Sequence, residues 1–164
     1  MLQKSLALVV LLGCGTPSSR PVAGPLAEHW CIRKMSDESN NLVFITINLA
    51  YRAYPSKANY PYLAQVNITT VDQNANGHPT DAEAVVLNRV EDGITAELNG
   101  LFIGRATTKG GRELMYMVGD ADKANAALTR MSSGPHERAW EFRISKDPDW
   151  ARVQPLLDDD APCL

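Results

Sequence analysis

The order in which hydrophobic periodicities succeed one another between Tyr62 and Ile144 restricts the possible folds of this chain more than any other feature. Ala64, Val66, Ile68 and Thr70 alternate against Leu63, Gln65, Asn67 and Thr69, the period-two pattern of a half-buried strand. Thr80-Asp81-Ala82-Glu83 has capping-box spacing, and Ala82, Val85, Val86, Val90 and Ile94 follow at helical intervals. Leu101 to Thr107 and Arg112 to Val118 then flank Lys109-Gly110-Gly111, a hairpin connection with glycines available for positive φ. Asp120 is placed to cap a second helix carrying Ala124, Ala127, Leu128 and Met131 on one side, and Ser132 to Pro135 stop it. Trp140, Phe142 and Ile144 alternate as a last strand.

The resulting βαββαβ order predicts an α+β fold, a ferredoxin-like sandwich with two helices on one face of an antiparallel sheet. An N-terminal pair of extra antiparallel strands is expected at His29 to Met35 and Leu42 to Tyr51, either extending the sheet or shielding its open face. Asp147-Pro148 supplies an N-cap and a proline at the first helical position, which predicts a short C-terminal helix packed through Trp150, Val153 and Leu157.

Upstream of this region, Lys4 precedes an apolar run from Leu6 to Leu12, far short of the roughly 20 residues that span a bilayer. With Leu11-Leu12-Gly13-Cys14 at its end, the segment resembles the signal peptide of a bacterial lipoprotein. The resemblance implies cleavage after Gly13, acylation of Cys14 and a lipid-anchored place in the cell envelope. Gly15, where an Asp would favour inner-membrane retention in a Gram-negative cell, leans the expectation to the outer membrane. Gly15 to Leu26 is a composition that suits a tether, with a reach of roughly 35 Å if polyproline-like. The expected organisation is a signal peptide at 1–13, a lipidated Cys and tether at 14–27, and one domain at 28–164.

The composition, 45% apolar and 21% charged, is that of an ordinary globular domain. A net charge of -3, with basic residues scattered, gives no electrostatic footprint for nucleic acid. Beyond the envelope-facing Cys14, Cys31 and Cys163 remain as a pair in an oxidising compartment, so a disulfide is expected. Closing a loop near 130 residues would contribute at most roughly 5 kcal/mol in the chain-entropy account. Two free thiols are the alternative.

Three short segments carry a family resemblance. Gly77-x-Pro79 precedes a helix begun near Glu83, Gly111-Arg112-Glu113-Leu114-Met115-Tyr116 occupies a strand, and Asp147-Pro148-Asp149-Trp150 lies near the end. From Asn41 to Leu157 the chain resembles the bacterial group known as domain of unknown function 695. That family has no assigned activity, so the resemblance implies a fold and no chemistry. Related ferredoxin-like domains include regulators of ribonuclease E, which act by binding protein in the cytoplasm. That partner is out of reach of a lipoprotein, and only the idea of a binding module carries over.

Asp72, Asn74 and Asn76, followed by Gly77, His78 and Glu83, satisfy the spacing of an EF-hand calcium loop. Side-chain oxygens at alternate positions, the His78 carbonyl and the Glu83 carboxylate could surround one hard cation, with affinity near ~1 mM because only two charges contribute. The competing reading is a loop of turn formers in which Glu83 caps the following helix. His29, His78 and His136 belong to no spaced motif and are expected on the surface or in loops, whereas Trp30, Trp140 and Trp150 are expected in the core. No Gly-x-Ser-x-Gly, Cys-x-x-Cys or phosphate loop is present, so no catalytic residues are assigned and no cofactor beyond calcium is expected.

Arg105, Arg112, Glu113, Glu141 and Arg143 fall on strands, where they offer a recognition surface on the open sheet face or simple cross-strand ion pairs. The expected function is that of a monomeric, membrane-anchored, non-catalytic module binding an envelope protein or peptide, with the lipid bilayer as its other partner. An envelope hydrolase built from loops and a calcium-stabilised structural module are the alternatives.

Overall fold

The computed structural model describes residues 26–164, so the expected signal peptide, Cys14 and nearly all of the expected tether lie outside the described residues. The elements are β1 (Trp30–Ser36), β2 (Leu42–Asn48), β3 (Tyr62–Thr69), α1 (Asp81–Glu97), β4 (Gly100–Thr108), β5 (Gly111–Val118), α2 (Ala121–Ser132), β6 (Trp140–Lys146) and α3 (Gln154–Asp158). All six strands join one antiparallel sheet in the order β1-β2-β4-β5-β3-β6. The two N-terminal strands therefore lengthen the sheet beyond β4 rather than covering it.

Each face of the sheet has its own apolar core. On one, Ala64, Val66 and Ile68 of β3 and Leu114, Tyr116 and Val118 of β5 are buried against Leu87, Ile94, Ala124 and Leu128 of the helices. On the other, Ile45, Ile47, Ile103, Met115 and Met117 pack against Tyr51, Tyr54, Trp150, Val153 and Leu157 from the segment after β2 and from the C-terminal region. The sheet face opposite the helices is thus half covered. β2 and β4 approach closely only because Gly104 has no Cβ: one placed there would strike the Thr46 carbonyl oxygen. At the hairpin, Gly110 takes φ +82°, as the tight connection requires.

Two local expectations need correction. The C-terminal helix begins at Gln154 and not at Pro148, because Trp150 takes φ +58° and breaks the helical path. Asp147 still caps the intervening turn, accepting from the amides of Ala151 and Arg152. In α1, Ala82 and Val85 are exposed, and the inward stripe runs through Glu83, Leu87, Glu91 and Ile94 instead. Two glutamates occupy core positions because each meets an arginine there.

Candidate functional site

Glu91 on α1 receives both Arg105 of β4, at 2.9 Å, and Arg112 of β5, at 3.2 Å. The Asn88 amide oxygen accepts a further bond from Arg112 at 2.8 Å. Arg112 is buried, and desolvation pulls its guanidinium below the ordinary arginine range, with Arg105 acting in the same direction. These groups hold α1 on the sheet. Arg105 and Arg112 accordingly lie on the helix-covered face, whereas Glu113 and Arg143 lie opposite, linked through Gln65 at 2.6 and 2.7 Å. Glu141 is exposed on β6 beside Asn67. The structure does not gather the five charged residues into one surface.

The loop from 72 to 83 closes on itself. The Asn74 side-chain oxygen accepts from the amides of Asn76 and His78, and Asp72 accepts from the Thr80 hydroxyl at 2.7 Å. Thr80 caps α1 through the Glu83 amide. The Glu83 carboxylate, 1% exposed, takes the Val71 amide at 2.9 Å and both arms of Arg138. Bonding to Arg138, against an opposing cost of burial, lowers its pKa to about 2. A cation held by Glu83 would have to displace Arg138. Among the described residues, no group of three or more His, Cys, Asp or Glu is arranged to hold a metal.

His29 and His136 are exposed, but His78 is buried against the Phe44 ring. Of the tryptophans, Trp150 is fully buried, Trp140 half-buried, and Trp30 39% exposed, so the expected core role fails for Trp30. On the edge strand its ring meets Phe102 at 5.7 Å, and its indole N–H donates to the Glu28 carboxylate.

An open depression lies between α1 and α2, a groove of about 540 Å³. Val90, Ile94, Met131 and Trp140 supply its apolar surface, continuous with the helix-side core. Gly93 leaves the groove open: a Cβ there meets nothing within 4 Å. Two ion pairs cross between its walls, Arg89 with Glu137 at 2.6 Å and Arg130 with Glu97 at 2.5 Å. Arg89 holds the Glu137 carboxyl below the usual carboxylate range. An apolar floor with polar groups at its rim is the form of a site that binds by shape and desolvation. No side chain with a free nucleophile-base geometry lines it.

At the far end of the sheet, Cys31 and Cys163 form a disulfide, 132 residues apart in sequence. The tail it secures is also gripped by Arg33, which donates to the carbonyls of Leu156, Ala161 and Asp159, and by Arg52, which reaches the Leu157 carbonyl at 2.6 Å.

A family model described as Family of unknown function (DUF695) matches residues 32–156. The chain belongs to that family. The match runs from within β1 into α3, so the DUF695 domain includes α1, α2, the groove and strands β2 to β6. No curated protein and no solved structure matches the chain. The groove of this DUF695 domain is not visible in the sequence, because its walls come from residues spaced like ordinary surface helix positions. Gly93 was the available signal, a glycine within a helical pattern.

Proposed function

We propose that this DUF695 protein is an extracytoplasmic lipoprotein, anchored through acylated Cys14, whose domain is a monomeric, non-catalytic module that binds a peptide segment of an envelope partner. The single observation that carries the binding role is the α1–α2 groove, with open space at Gly93 above Ile94, Met131 and Trp140. Buried apolar anchors ringed by polar groups are how such sites gain affinity, and rim ion pairs set register more than strength. The anchor is supported by Leu11-Leu12-Gly13-Cys14 and its apolar lead, and the outer membrane by Gly15. A ferredoxin-like reading of residues 62–146 is supported by the strand order β4-β5-β3-β6 with two helices packed on one face.

Displayed random peptides selected on the native protein provide the test. Peptides that enter the groove lose at least about tenfold in affinity, or about 1.4 kcal/mol, when Gly93→Leu fills it. Equal binding to both proteins, or hydrolysis of the peptides, contradicts the proposal.

A further inference from the structure

We propose that the β1 edge of the sheet docks onto the surface of a lipid bilayer. Among the described residues, four of the six large apolar side chains left exposed belong to this edge: Trp30 at 39% and Ile32 at 44% on one face of β1, Met35 at 40% on the other, and Leu164 at 76% beside the strand. Leu164 belongs there because its amide donates to the Ile32 carbonyl at 2.8 Å, next to the disulfide that holds Cys163 on β1. The helices do not shelter the patch, since no residue of their core comes from β1 or β2. An exposed apolar edge strand invites association, and a monomer tolerates one where something covers it.

The position of the edge in the chain identifies the cover. Trp30 follows Cys14 by sixteen residues, which span at most roughly 55 Å when extended. An acylated Cys14 therefore confines this edge near lipid at high effective concentration, and the docking rests on that anchoring. The chemistry suits the headgroup layer. Trp30 presents an apolar ring whose indole N–H is already bonded to Glu28 at 3.0 Å, an amphipathic side chain of the kind that sits at headgroup level. Outer backbone groups of β1 that the sheet does not pair stay hydrated at that depth, which the hydrocarbon interior would not permit. The domain would then lie edge-down, with the α1–α2 groove at the other side of the sheet.

The test uses the mature protein from a host that acylates it, placed on phosphatidylglycerol-containing vesicles with or without brominated acyl chains. Flotation reads the anchor, and tryptophan emission reads the docking. The expected result is bromine quenching of a component that Trp30→Phe removes, while both proteins float. Flotation without quenching leaves the anchor standing and overturns the docking. Quenching unchanged in Trp30→Phe also overturns it, as does Trp30 emission shielded from aqueous iodide yet insensitive to bromine, the sign of a second copy on the edge. Failure to float contradicts anchor and docking together.

Discussion

Glu83 accepts two hydrogen bonds from the Arg138 guanidinium, at 2.8 and 2.5 Å, and thereby ties the start of α1 to the loop that enters β6. The pair sits on the residue that sequence spacing offers as the twelfth position of a calcium loop, and it uses that carboxylate for the fold.

Arg138→Met leaves a buried carboxylate without its partner and is expected to lower stability by about 3 kcal/mol in chemical denaturation. The pH dependence has a fixed sign. The Glu83 pKa is depressed to about 2 from an ordinary 4.5, so the pair's contribution is complete above pH 4.5 and is lost as pH falls towards 2. Denaturation midpoints of the native protein should fall across that window, and those of Arg138→Met should fall less. Addition of millimolar calcium at neutral pH is expected to leave the melting temperature of the native protein unchanged.

The two arginines on Glu91 are not equivalent. Glu91→Gln strands two guanidinium groups against each other, one of them buried, and is expected to cost about 3 kcal/mol or more. Arg105→Met leaves a one-to-one buried pair of Glu91 and Arg112 and is expected to cost about 1 kcal/mol. Urea titrations of both variants check the order, and equal losses would mean that Arg105 carries structural weight its partial exposure does not suggest.

Cys163→Ser releases a loop closure of 132 residues, for which the chain-entropy account sets a ceiling of about 5 kcal/mol. Arg33 and Arg52 continue to hold the tail carbonyls, so a smaller loss of about 3 kcal/mol is expected, with the variant still folded at room temperature. Amide exchange should quicken from Asp158 to Leu164 before it quickens in β5.

The strands and helices were legible because their periodicities are strong and their ends carry recognisable signals. Thr80 and Asp120 cap helices starting one residue later, and Gly110 turns the hairpin. The inward face of α1 was not legible, because two of its buried positions are glutamates, which break the apolar stripe and whose partners lie 14 to 55 residues away. Trp150 misled in a similar way: helical spacing counts it as a packing residue, which it is, but says nothing of its positive φ. The groove escaped because a cavity depends on how far two helices stand apart, and spacing within each helix does not encode that distance.

The central claim is that the α1–α2 groove is where a ligand enters. The most direct measurement is a two-dimensional amide NMR titration of the native protein with a selected peptide. The account predicts shifts confined to Val90, Gly93, Ile94, Met131, His136 and Trp140, which line the groove. Shifts centred instead on Gln65, Asn67, Glu113 and Arg143, on the opposite sheet face, would contradict it.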